Sequence, residues 1–93
     1  MRTFEVSLQD GSLVITNKSN TKVTLRLVIL HYQVVVLTVD EQRTTRTISE
    51  ERKVQKELKP GEKIELNNIL SELKIVSIIY SIDDKTFRDD IEL

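Results

Sequence analysis

Phe4, Val6 and Leu8 alternate with Thr3, Glu5 and Ser7, the period-two signature of a strand with one buried face. Gln9-Asp10-Gly11-Ser12 then supplies turn chemistry. Leu13 to Thr16 is a second short apolar run, closed by Asn17-Lys18-Ser19-Asn20, whose side chains favour bonds to nearby backbone. The segment from Lys22 to Val39 behaves differently. Val23, Leu25, Leu27 and Ile29 share one face, with polar Thr24 and Arg26 opening the other. Beyond Arg26 the alternation is lost, because Val28, Leu30, Tyr32, Val34 and Val36 make the second face apolar too. So many β-branched residues favour strand over helix. The stretch exceeds a typical strand length, so a bend, bulge or reversal is expected near His31-Tyr32-Gln33. A strand apolar on both faces must be covered on both.

The segment Ser49 to Gly61 reads two ways. Ser49 as an N-cap, Glu50 and Glu51 in a first turn, Lys59 near the end and Pro60-Gly61 beyond are helix punctuation. Only Val54 and Leu58 form its apolar stripe, so a charged edge strand pairing across Pro60-Gly61 with Glu62 to Leu66 competes with a short helix over 49–58. Asn67-Asn68 opens a turn or short helical crossing through Ile69, Leu70 and Leu73. Lys74 to Ile82 is then a strong strand, with Ile75, Ser77, Ile79 and Ser81 on one face and Val76, Ile78, Tyr80 and Ile82 on the other. Asp83-Asp84-Lys85 turns into a charged edge strand that runs to the end.

Composition sharpens this outline in a few respects. At 93 residues the chain has room for one domain over 1–93 with a single core. Its hydrophobic fraction of 39% with 31% charged residues is that of a folding chain. The net charge of -1 provides no global field toward nucleic acid or anionic membrane. Locally, Arg43, Arg46, Arg52, Lys53, Lys56, Lys59 and Lys63 outnumber Glu50, Glu51, Glu57 and Glu62, so the middle is basic, and the end beyond Ser81 is acidic. Cysteine is absent, which excludes disulfides, thiolate nucleophiles and cysteine metal sites. Abundant Lys, Glu, Ile and Val with few Gly and Pro is compatible with a thermophilic source. Met1-Arg2-Thr3-Phe4 runs straight into strand alternation, so no secretory leader is expected and the cytoplasm is the favoured compartment. The most apolar stretch, Leu27 to Val39, falls short of the roughly 20 residues of a membrane-spanning helix.

Leu58-Lys59-Pro60-Gly61-Glu62-Lys63-Ile64-Glu65-Leu66, followed by Ile75 to Asp84 with its Tyr80, and the early Val14-Ile15-Thr16-Asn17-Lys18-Ser19 segment, resemble immunoglobulin-like β-sandwich domains of prokaryotic surface and assembly proteins. The resemblance implies an antiparallel two-sheet sandwich of about seven strands, and says more of fold than of function. The cysteine pair and core tryptophan of antibody domains are missing.

Candidate chemistry is sparse. His31, the single histidine, sits between Leu30 and Tyr32 with no nucleophile or orienting carboxylate at a telling spacing, so a structural role is expected. Asp83, Asp84, Asp89 and Asp90 match no calcium-loop pattern and read as a guarded edge. Asn17-Lys18-Ser19 fits a glycosylation acceptor. No catalytic, cofactor or metal site is expected. The reading is a non-catalytic protein–protein interaction or assembly module that works through a sheet edge or the apolar face of Val28, Leu30, Tyr32, Val34 and Val36, with a protein partner or a second copy of itself. Edges near Arg43–Thr47 or Thr86–Glu92 are the favoured ones. The alternative is nucleic-acid binding through the basic segment 43–63, carried by Arg43, Arg46, Arg52 and Lys53.

Overall fold

Each regular element in the computed structural model, which describes residues 3–93, is a β-strand: β1 (Phe4–Gln9), β2 (Ser12–Asn17), β3 (Val23–Leu37), β4 (Arg43–Leu58), β5 (Lys63–Leu66), β6 (Leu73–Ile82) and β7 (Lys85–Glu92). They form two antiparallel sheets, ordered β1-β2-β5 and β4-β3-β6-β7. The expected all-β, seven-stranded, two-sheet sandwich is therefore what the chain adopts. Met1 and Arg2, where the expectation of no leader begins, lie outside the described residues.

The turns follow from their residues. Asp10 and Gly11 both adopt positive φ, 48° and 81°, between the facing ends Gln9 and Ser12, as a two-residue hairpin loop with right-handed strand twist requires. Gly61 takes φ 85° after Pro60, and the Glu62 N–H bonds back to the Lys59 carbonyl at 2.9 Å. Proline ahead of a left-handed glycine is the preference of a type II turn.

Asn17 joins three of these pieces. Its side chain is fully buried; Nδ2 donates to the carbonyls of Thr21 and Leu58, each at 2.9 Å, and Oδ1 accepts from the Ser19 N–H at 2.9 Å and the Ser19 hydroxyl at 2.6 Å. The amide is thus saturated, and it locks the β2–β3 loop to the end of β4. The triplet that resembled a glycosylation acceptor is a structural clamp with no room for a glycan.

Two expectations are corrected. Of the two readings of 49–58 the edge strand holds and the helix does not, but this strand lies within β4 and pairs with β3, while Lys63–Leu66 across Pro60-Gly61 crosses to the other sheet and pairs with β2; residues 67–72 are a loop, without a helical crossing. The helix-like punctuation belongs to a strand whose charged residues face water on both sides, with Leu58 anchoring its end in the core. Nor does the 22–39 segment reverse. It is one strand of 15 residues, whose register slips by one between Leu25 and Leu27 against both neighbours. Opposite Arg26, β4 supplies both Val54 and Gln55, and Gln55 adopts φ 48°, the left-handed kink of a bulge. The slip places Val23 and Leu25 on the same inward face as Val28, Leu30 and Tyr32. A second one-residue shift against β6 lies between His31 and Tyr32, where a bend or bulge is expected from the sequence.

Those five residues meet Phe4, Leu13, Ile15, Leu58, Ile64, Val76, Ile78, Tyr80 and Ile91 in one core. Phe4 packs edge-on against Tyr80, with ring centroids 4.8 Å apart at 85°, an arrangement that adds to simple area burial.

Candidate interaction surface

The two long strands outrun the sandwich. β6 pairs with β3 only from Thr24 to Tyr32, and one further bond, from the Gln33 N–H to the Glu72 carbonyl at 3.0 Å, marks where its cover stops. From Val34 to Leu37 the neighbour of β3 is β4 alone, in continuous register to Leu37 opposite Arg43. The result is a two-stranded arm closed by a well-bonded tip: the Thr38 N–H donates to the Gln42 carbonyl at 2.9 Å, and the Gln42 N–H to the Thr38 hydroxyl at 3.2 Å. The molecule is correspondingly long, 52 × 27 × 24 Å.

The arm carries apolar side chains into water. Val35 is 65% exposed, Leu37 71% and Val39 at the tip fully, while Val34 and Val36 are half-buried; Ile48, opposite Tyr32 where the arm leaves the body and on the other face from Val35 and Leu37, is 52% exposed. Isolated two-stranded ribbons are marginal in water, and this one gains no cover from the other sheet. The sequence reading passed over Val35, Leu37, Val39 and Ile48. The available signal was the run Arg43 to Ile48, rich in β-branched residues and lacking acids, facing apolar β3 residues.

The apolar residues singled out earlier divide between body and arm. Val28, Leu30 and Tyr32 are buried in the core and offer nothing to a partner; Val34 and Val36 lie on the arm. Burial, followed by the nearby Glu50 carboxylate, holds the Tyr32 hydroxyl above its ordinary value. Arg43–Thr47 and Thr86–Glu92 do lie on the two opposite outer strands of the four-stranded sheet, β4 and β7. β7 is guarded by Arg88, Asp89, Asp90 and Glu92, and the body half of β4 by Glu50, Glu51, Arg52 and Lys53. The arm half of β4 bears only Arg43 and Arg46.

The cations of the basic segment do not converge. Arg46 and Arg52 stand opposite inward-facing Val34 and Val28, whereas Arg43 and Lys53 stand opposite outward-facing Leu37 and Leu27, so alternation sends them to different faces. Arg52 is already engaged: Nε meets Glu50 at 2.7 Å, and its two terminal nitrogens donate to the carbonyls of Asn67 and Asn68. It staples β4 to the β5–β6 loop.

No family model, curated protein or solved structure matches this chain. Function has to be argued from the surface itself.

A polar chain also crosses the outer face of the four-stranded sheet. Ser49 Oγ lies 3.1 Å from His31 Nδ1, His31 Nε2 lies 2.9 Å from Ser77 Oγ, and Ser77 Oγ is 2.5 Å from Asp90 Oδ1, which also accepts from Arg88 Nε at 3.1 Å. The Ser77 hydroxyl has one hydrogen, and the carboxylate takes it. His31 Nε2 therefore donates to Ser77, and Nδ1 shares a hydrogen bond with the Ser49 hydroxyl. Bonds from Ser77 and then Arg88 hold the Asp90 carboxyl below its ordinary value. His31, Ser77, Arg88 and Asp90, with Thr47 and Ile75, line an open hollow of about 250 Å³. The chain links β4, β3, β6 and β7 side by side, which gives His31 a structural task. Among the described residues no three His, Asp or Glu side chains cluster as metal ligands, and no helix is long and apolar enough to cross a membrane.

Proposed function

We propose that this chain is a non-catalytic interaction or assembly module that engages a protein partner through its β3–β4 arm and the adjoining edge of β4. One observation carries the reading: Val35, Leu37 and Val39 are held in water on a bonded ribbon that has no third strand beside it. An exposed strand edge offers backbone donors and acceptors, and alternate side chains select what may pair with it. The immunoglobulin-like resemblance supports the same reading. Lettered in chain order, the strands fall as A-B-E over C′-C-F-G, within the pattern of sandwiches that add a C′ strand beside C, and such domains serve widely in adhesion and assembly.

The test is in-cell photocrosslinking. A photoreactive residue at Val35, Leu37 or Thr45 should give discrete protein adducts, while the same residue at Glu65, exposed on the far sheet, should give none. Equal labelling at all four positions, or no adducts on the arm, would remove the proposal.

A further inference from the structure

The charge order along β4 points to the occupant of its edge, and the argument rests on the interaction reading above. Among the described residues, β4 pairs only with β3, so every second backbone unit from Arg43 to Leu58 faces outward. If a second copy adds there as an antiparallel strand, its two-fold axis stands perpendicular to the sheet, and each residue meets its mirror position about the axis on the same face. Few axes are tolerable. Centring on Arg46, Glu50, Glu51, Arg52 or Lys53 sets a charge against itself, and centring on Ser49 opposes Arg46 to Arg52, arrangements that destabilise paired strands.

Centring on Val54 opposes Arg52 to Lys56, Gln55 is the left-handed bulge that interrupts a regular ladder, and centring on Thr44 or Thr45 overlaps only the first few residues of β4. Two adjacent centres remain. About Thr47, Arg43 of each copy faces Glu51 of the other. About Ile48, Arg46 faces Glu50 and the half-exposed Ile48 packs on its own mate. In both, the basic arm half of one β4 lies along the exposed Glu50 and Glu51 of the other. An arm half of β4 with Arg43 and Arg46 and no acid, followed by Glu50 and Glu51 just beyond the midpoint, forms a self-complementary edge.

We infer that β4 is a homodimerisation edge: two copies pair antiparallel about Thr47 or about Ile48, joining their four-stranded sheets into one continuous sheet from β7 to β7, with Arg43 against the partner's Glu51 in the first register and Arg46 against the partner's Glu50 in the second. The apolar arm then lies beside folded protein instead of projecting alone. Overlap from Arg43 to Lys53 about Ile48 extends for about 35 Å at the usual rise per residue, and the pairing removes the longest open edge in the molecule. Arg43 opposite Lys53 is the one unfavourable contact of the Ile48 register, and it falls at the solvated ends of the overlap.

Light scattering across a concentration series tests this directly. The wild-type chain should reach twice its chain mass. Glu50→Arg/Glu51→Arg and Arg43→Glu/Arg46→Glu should each stay at the single-chain mass, and mixing the two variants should restore the doubled mass; circular dichroism on each variant keeps loss of folding distinct from loss of pairing. The chain has no cysteine, so single cysteines report the axis: Thr47→Cys or Ile48→Cys should oxidise to a disulfide-linked dimer, and Lys53→Cys should not. A wild-type chain that is monomeric at millimolar concentration overturns the inference, as does a dimer indifferent to both charge reversals. In either case, arm adducts to a different protein in the photocrosslinking experiment would leave the interaction reading standing, and their absence would remove both.

Discussion

Replacing Asn17 by alanine should cost more than any other single polar substitution in the molecule. The side chain is fully buried and makes four hydrogen bonds, two as donor and two as acceptor. The bond to the Leu58 carbonyl is itself buried, so alanine leaves that acceptor without a partner, at about 1–3 kcal/mol. The bonds to Thr21 and Ser19 are only part-buried, where water can replace the lost partner, and together they add about 1 kcal/mol. The total is about 3 kcal/mol, out of about 5–14 kcal/mol expected for a domain of this length. Thermal unfolding followed by far-ultraviolet circular dichroism should show a fall of about 12–24 °C. Asn17→Asp supplies the control. It preserves shape and the bonds from Ser19, but turns an oxygen toward two carbonyl oxygens, so at neutral pH it should be less stable than Asn17→Ala. An alanine variant within about 1 kcal/mol of wild type, or an aspartate variant as stable as the parent, would show that the clamp does not hold the loop and the end of β4 together.

Other expectations concern separate parts of the molecule. The Asp90 carboxyl is depressed by Ser77 and then Arg88, so its stabilising contribution is present above the ordinary aspartate value and fades as pH falls through the lower folded-state value. Ser77→Ala should move the Asp90 titration, followed by carboxyl-carbon NMR, upward toward that ordinary value; no movement would mean the hydroxyl does not hold the charge. Gly61→Ala meets no atom within 4 Å but must adopt φ near 85°, so urea unfolding should register a loss of about 1 kcal/mol from backbone strain alone. Leu30→Ala, at the fully buried centre of β3, should lose about 2–5 kcal/mol. Val39→Lys at the fully exposed tip should leave the urea midpoint of the isolated monomer within about 0.5 kcal/mol of wild type.

Much of the fold was legible because each signal was local. Asp10-Gly11, Pro60-Gly61 and Asp83-Asp84 mark turns whose chemistry forces them, and the flanking alternation fixes which side chains go inward. The excess length of β3 pointed to the irregularity near Tyr32, but the bulge at Arg26 was not legible. Arg26 and Gln55 are ordinary polar residues, and nothing in either announces an inserted position; only the pairing of β3 with two neighbours at once defines the slip. Fixed alternation through Arg26 therefore split a single buried face into two half-apolar ones and made Val28, Leu30 and Tyr32 look available to a partner. The helix alternative over 49–58 arose from the same locality. A strand wet on both faces has no alternation to display, so its charges were free to imitate helix punctuation. The edges at Arg43–Thr47 and Thr86–Glu92 were readable from charge and β-propensity. The arm depends on where β6 stops pairing with β3, near Tyr32 and Gln33, a property of two distant segments that no window of sequence contains.

The arm also shapes how the molecule behaves in bulk solution. A radius of gyration of 15.1 Å, against about 12 Å for a spherical domain of this length, means a single chain diffuses slowly for its weight. On a gel-filtration column calibrated with round standards it will emerge early and mimic a heavier species. Lengthwise apposition of two such rods would distort the elution volume in its own way, so retention time alone would confuse slenderness with association.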